Sequence, residues 1–314
     1  MISRRSLLKG SLATLLAGVG LSGYAFGLEP HVRLNVARYR LTPRLWPAGL
    51  RLRIAVLADL HACEPWMGTR RIGAIVDATN RLGADIIVLL GDYGPGHDWV
   101  TDWVQADVWA PALGRLTAPL GVHAVLGNHD WWEDRTAQRA GHGPTIAHRA
   151  LQAAGIKVYE NDVVRLQKDA DAFWLAGLGD QLALLPGSRW GRGRFVGVDD
   201  LPGTLAKVTD DAPVILLAHE PDIFPEVPAR VSLTLSGHTH GGQVRLFGYS
   251  PVVPSRFGNR YAYGHIVEAG IAENGPGLAD SERHLIVPGG LGCAILPVRF
   301  GVPPEIVLID VGTA

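Results

Sequence analysis

Leu52-Arg53-Ile54-Ala55-Val56-Leu57-Ala58-Asp59-Leu60-His61 decides the fold. Leu52–Ala58 is an apolar run of strand length, the pattern of a strand buried on both faces. It ends on a carboxylate and an imidazole two residues apart, so a buried strand delivers polar side chains from its C-terminal end. Asp85–Leu90 leads in the same way into Gly91-Asp92, and Gly121–Leu126 leads into Gly127-Asn128-His129-Asp130. In the second half, Pro213–Ala218 leads into His219-Glu220, and Leu233–Ser236 leads into Gly237-His238-Thr239-His240.

Helical spacing falls between these runs. Thr69–Leu82 carries it up to a stop at Gly83, Thr145–Ala154 up to Gly155, and Leu201–Val208 reads as a short helix. Val158–Tyr159, Val163–Leu166 and Phe173–Leu178 read as further strands, and Gly241–Ile266 as a loop or hairpin near the ligand-bearing segments. Leu285–Val287 and Ile306–Asp310 are expected to close a second sheet. The expected class is α/β, a four-layer α/β/β/α sandwich of two mixed sheets flanked by helices. Pattern alone does not give the order of strands. With 314 residues, 47% hydrophobic and 19% charged, the chain suits one large domain, placed at 51–314 after a lead-in at 29–50.

The first 28 residues are set apart. Ser3-Arg4-Arg5-Ser6-Leu7-Leu8-Lys9 resembles the twin-arginine export signal, with Leu7 where that motif usually has Phe. Ala25-Phe26-Gly27 offers small residues of the kind a signal peptidase needs. The uncharged stretch Gly10–Leu28, about 19 residues, also comes near the length that spans a bilayer. Residues 1–28 are therefore expected to be a twin-arginine signal peptide or an N-terminal membrane anchor. Either way the twin-arginine export machinery is a partner, and the body lies in the periplasm or on the outer face of the cytoplasmic membrane. The formal charge of -1 includes Arg4, Arg5 and Lys9, so the body without them is acidic and has no basic footprint for nucleic acid. Cys63 and Cys293, in an oxidising compartment, are open to two readings: a disulfide or two free thiols.

The residue types point to metal chemistry. Two divalent cations held about 3.5–4 Å apart need a ligand that bridges them, and a carboxylate has two oxygens for it. Asp92 stands alone after its strand and is the natural bridge. Asp59 and His61 can project from one loop onto one ion, and Asn128, His219 and His238 can serve the other. His240 repeats the two-residue spacing to reach across the pair. Any single histidine of the 12 has a blander reading as a surface or hydrogen-bonded residue. His31, His97, His123, His142, His148, His265 and His284 are left there.

Taken together, Asp-x-His, Gly-Asp, Gly-Asn-His-Asp, His and Gly-His-x-His resemble the calcineurin-like metallophosphoesterases over roughly residues 52–311. The resemblance implies one metal on Asp59, His61, Asp92 and His240, and another on Asp92, Asn128, His219 and His238. It implies two divalent ions (Mn, Fe or Zn), attack on a phosphoester by a metal-bridging hydroxide, and His129 as the general acid, not a ligand. Asp130 or another carboxylate would orient His129.

Trp66, Trp99, Trp103, Trp109, Trp131 and Trp132 fall in or just after the ligand-bearing loops. They read either as packing for those loops or as an apolar rim for a lipid or aromatic leaving group. The expected substrate is a phosphate mono- or diester of the cell envelope, with lipid head-group phosphates among the candidates. Nucleotides or cyclic nucleotides taken up for scavenging are the alternative, and a non-catalytic metal-binding protein is a third.

Overall fold

The computed structural model describes residues 4–44, 46–269 and 282–312; Ser3 of the arginine motif lies outside them. Its strands in chain order are β1 (Asn35–Leu41), β2 (Leu52–Leu57), β3 (Cys63–Glu64), β4 (Ile86–Leu89), β5 (Asp102–Trp103), β6 (Val122–Ala124) and β7 (Lys157–Val158). The second half adds β8 (Asp162–Lys168), β9 (Asp171–Gly177), β10 (Val214–Leu217), β11 (Val231–Leu235), β12 (Gly264–Ala269), β13 (Glu282–Val287) and β14 (Glu305–Val311). Two six-stranded sheets result, ordered β1-β14-β2-β4-β6-β7 and β12-β13-β11-β10-β9-β8, with a small β3-β5 ribbon beside them.

The continuous apolar runs have a simple cause. Ile54 and Val56 face Leu175, Ile215, Leu217 and Leu233 in the layer between the sheets. Their alternates Ala55 and Leu57 face Ile72, Ile75 and Val76 of the Thr69–Asn80 helix on the outer side. A strand covered on both faces can afford no polar alternation. Arg53, which breaks the run, is exposed and donates to Asp310 at 2.7 Å. The outer layer of the second sheet is thinner: Leu201 of a short helix, Ile223 and Phe224 of a 3-10 turn, and Tyr261. The architecture is the expected mixed-sheet sandwich.

Three details differ from the sequence expectations. Ile306–Asp310 does not close the second sheet; it lies in β14, between β1 and β2 of the first sheet and antiparallel to β2. The hydrophobic pattern of a two-face-buried strand is the same in either sheet, so only pairing could decide. The lead-in 29–50 contains β1, which pairs in parallel with β14 at the sheet edge. The second helix begins at Ile146 because the Thr145 hydroxyl accepts from the backbone N–H of His148 at 3.1 Å. Cys63 and Cys293 are both buried free thiols.

A helix runs from Arg4 to Gly23 and continues through a wider turn, Tyr24–Leu28, into Glu29–Val32. Arg4–Val32 is long and apolar enough to cross a membrane, and 6% of its most apolar window is buried. Its C-terminal end docks: the Ala25 carbonyl accepts from the Arg299 N–H at 2.9 Å, and Tyr24 meets Phe300 edge-on.

Leu217 is fully buried between the sheets. Leu217→Ala is expected to cost about 3 kcal/mol, read as a lower urea midpoint with unchanged slope; a loss below about 1 kcal/mol would show that the inter-sheet layer is loosely packed.

Candidate metal centre

Five strands of the two sheets stop at one place. β2 hands over to Asp59 and His61, β4 to Asp92, β6 to Asn128, β10 to His219 and β11 to His238 and His240. The backbone turns hard there: Asp59, His61, Asp92, His238 and His240 all sit at positive φ, between 46° and 67°. Non-glycine residues rarely hold that conformation, and its clustering marks a site the surrounding fold over-determines. Glycine permits the closest approach. A Cβ on Gly127 would lie 2.4 Å from Asp92 Oδ1 and 2.6 Å from the His219 ring.

All seven sequence-selected groups converge. His61 Nε2 lies 3.1 Å from His240 Nε2 and 3.6 Å from Asp92 Oδ2, and His240 Nε2 lies 3.8 Å from Asp59 Oδ1. On the other side His219 Nε2 is 3.2 Å from the same Asp92 Oδ2 and 3.2 Å from Asn128 Oδ1, which in turn is 2.9 Å from His238 Nδ1. Asp59, His61 and His240 form one group able to hold a cation, and Asp92, His219 and His238 another.

The donor set fits cations on physical grounds. Nδ1–H of His61 can donate to the Gly94 carbonyl at 2.9 Å, and that of His219 to the Leu90 carbonyl at 2.6 Å. Both rings then turn an Nε2 lone pair into the cluster. The His61 and His240 rings stack at 5.0 Å with their Nε2 atoms 3.1 Å apart, close enough for both to reach one cation. Asp59 Oδ2 is buried with no hydrogen-bond partner among the described residues, a costly state for a carboxylate oxygen without a cation.

Electrostatics separate the ligand-like histidines from His129. Burial pushes His61 and His238 down to about 3, and burial with His61 and Arg299 beside it holds His240 well below the ordinary value. These rings are neutral, the form that ligates. His219 is the exception: burial lowers it, but Asp92, Glu220 and Asp59 together outweigh burial and hold it high. His129 faces the cluster from outside, its ring edge-on to His61 at 5.0 Å. Burial alone would lower it, but Asp92 and Glu133 together raise it above the ordinary histidine value.

Asp130 does not orient His129. Its carboxylate accepts from the N–H groups of Asp92, Tyr93 and Gly127 at 2.9–3.0 Å and so ties the β4 and β6 loops together. The carboxylate near His129 Nδ1 is Glu133, at 3.7 Å. Four residues beyond His129 on the same helical turn, it could have been found from i,i+4 spacing. Arg299 carried no sequence signal at all. It is fully buried, donates to the carbonyls of Gly289 and Val302, and brings Nη2 within 3.3 Å of His240 Nδ1. Asp180 and Glu220 form a further buried carboxyl pair beside His219. Of the histidines set aside, His123 bonds the Tyr159 hydroxyl and His265 bonds His284, whereas His97 lies near enough to His129 to feel its charge. Of the tryptophans, Trp109 and Trp131 pack in the core, whereas Trp99 and Trp103 are exposed.

With this geometry in place, the chain belongs to the calcineurin-like phosphoesterase family, whose sequence model matches residues 52–242. It is 30% identical to the uncharacterized metallophosphoesterase YkuE of Bacillus subtilis, over 97% of this chain and 96% of that protein. It is 27% identical to the phosphodiesterase YaeI of Escherichia coli, over 99% of both chains. A transmembrane protein with a metallophosphoesterase domain from Danio rerio is 32% identical over 62% of this chain and 41% of its own length. The chain is accordingly a phosphoric ester hydrolase by family.

Gly127→Ala should strip metal without unfolding the sandwich, because its Cβ collides with Asp92 and His219 while the β6 core stays intact; metal content after dialysis and a far-UV spectrum check both halves. Burial raises Asp59 to about 7 in the metal-free chain. Below that pH the carboxyl holds a proton that a cation must displace, so manganese affinity should fall as pH drops from 8 to 6. Proton release on manganese addition in weak buffer measures it; equal affinity at both pH values would remove Asp59 from the ligand set.

Proposed function

We propose that this chain is a two-metal phosphoesterase of the cell envelope that hydrolyses phosphate mono- or diesters, lipid head-group phosphates foremost. One ion is assigned to Asp59, His61, Asp92 and His240, and the other to Asp92, Asn128, His219 and His238. The observation that carries the reading is a single oxygen, Asp92 Oδ2, lying between His61 Nε2 at 3.6 Å and His219 Nε2 at 3.2 Å. Two divalent ions held there, Mn, Fe or Zn, would supply an activated water and offset the charge of the phosphoryl oxygens.

The chain's own groups do the rest. Asp92, its other oxygen accepting from the His129 N–H at 2.9 Å, ties the helical turn that carries the general acid to the ligand cluster. His129, one-fifth exposed, reaches the cleft where a leaving group would sit, and its raised pKa keeps a proton ready for the departing oxygen. The Arg4–Val32 helix supports a place at the membrane, held there as an anchor after twin-arginine export. A second reading, nucleotide or cyclic-nucleotide hydrolysis, draws on the stacked Trp132–Phe195 pair, 5.2 Å apart beside His129, which offers a platform for a flat base. A non-catalytic metal-holding role leaves His129 and Glu133 without a task.

His129→Ala should lower turnover by ~10²-fold or more with both ions retained, and more steeply for poor leaving groups; full rate on an alkyl ester would sink the general-acid role. Asp92→Ala should release metal and abolish activity; two ions per chain in that variant would refute the shared ligand. His129 is raised, so it stays protonated to higher pH, and the rate falls as pH rises through its pKa. Glu133→Gln removes one raising carboxylate and should move that alkaline limb of kcat/KM to lower pH; an unmoved limb separates Glu133 from His129.

A further inference from the structure

Two recesses open beside the ligand cluster, with Pro254 on the wall of both, and their chemistry is unlike. Beside His238 lies a cleft of about 600 Å³ walled by Trp132, Gln181, Phe195, Glu226 and Arg256. Behind His240 lies a recess of about 270 Å³ walled by Val244, Pro251, Val252, Ile295, Leu296 and Val298. Resting on the phosphoesterase reading, we propose that the recess behind His240 receives the hydrocarbon arm of an amphiphilic phosphodiester, whose polar arm lies in the cleft beside His238.

The recess is built to stay apolar. The polar side chains on its wall are already engaged: His240 belongs to the ligand cluster, the Thr239 hydroxyl donates to the Ala262 carbonyl at 2.7 Å, and Gln243 braces the wall, its Oε1 accepting from the Ala294 N–H at 2.6 Å and its Nε2 donating to the Leu296 carbonyl at 3.1 Å. Val252 and Ile295 line the recess yet are 62% and 65% exposed, so they form an apolar rim at its mouth. Ile295 holds φ at +65°, a conformation that costs a β-branched residue dearly. The turn is fixed by its N–H donating to the Gly96 carbonyl at 2.9 Å, on the loop whose Gly94 carbonyl faces His61. A polar or small substrate has no use for an apolar rim held at that cost.

The same wall leads to the N-terminal helix. The residues just after Val298 carry its docked end: Arg299 donates to the Ala25 carbonyl and Phe300 meets the Tyr24 ring. The Phe300 N–H also donates to the Gln243 carbonyl at 2.8 Å. An apolar helix of membrane-spanning length thus ends on the segment that walls the recess, and a hydrocarbon chain leaving a bilayer beside it has a short apolar path to His240.

The test uses the full manganese-loaded chain and methyl, butyl and octyl p-nitrophenyl phosphodiesters below their micelle concentrations. The native kcat/KM should rise about two- to fourfold per added methylene over the first carbons. Leu296→Asp and Val252→Asp, both at exposed positions, should cut the octyl-to-methyl ratio at least tenfold. Because the ratio is taken within each variant, general losses cancel, and partition onto the N-terminal helix would persist in the variants. A flat native series, or a ratio unchanged in both variants, overturns the proposal. Calorimetry with octyl phosphate reads the recess without turnover: binding with a negative heat-capacity change that Leu296→Asp abolishes supports it, and equal binding by native protein and variant overturns it. Failure to hydrolyse bis-p-nitrophenyl phosphate with any metal instead removes the hydrolase reading alone.

Discussion

The structure depends on holding carboxylates and imidazoles together where water cannot screen them. Asp59, His61, Asp92, Asn128, His219 and His240 are each at most 2% exposed, yet they form a polar cluster at the end of an apolar sandwich. Such a cluster survives only if its members are bound by geometry rather than by solvent. The clamps are visible. Asp130 ties the loops after β4 and β6, and Asp59 Oδ1 accepts from the His238 N–H at 2.8 Å, joining the first sheet to the second. Glycines at 91 and 127 let backbone pass where any side chain would collide.

That constraint explains why the strands are short. β4, β6 and β10 have four, three and four residues, and each gives way to a loop as soon as it reaches the cluster. The two sheets meet at their parallel C-terminal ends, so ligands far apart in sequence share a few ångströms. The thick apolar layers behind them supply the rigidity that positive-φ residues need. Function at the site and packing of the core are thereby one problem: loosening the inter-sheet layer would let the strained loops relax.

The environment beyond the cluster divides by chemistry. His129 and Glu133 face one cleft, the polar wall of Glu226 and Arg256 another, and the aliphatic wall of Val252 and Leu296 the third. Tryptophan, which drew notice in the sequence, splits between roles: Trp109 and Trp131 are core, while Trp99 and Trp103 stand exposed. The aliphatic recess is made by residues with no motif, from two segments about fifty positions apart.

Residue type and spacing alone pointed to the sandwich class and to the seven side chains that converge, because each ligand-bearing segment follows a buried strand and the apolar run announces the strand; the part proposed for His129 came from the family resemblance. Helix starts such as Thr145 were legible to within a residue. Tertiary structure alone decided the rest. β14 entered the first sheet, not the second, since two-face-buried strands look alike until they pair. Asp130 became a loop clamp and Glu133 the partner of His129, because direction in space, not adjacency in sequence, selects which carboxylate an imidazole meets. Arg299 and the recess behind His240 stayed hidden for the same reason: a lone arginine or a scattered set of aliphatic residues acquires meaning only when folding brings distant backbone around it.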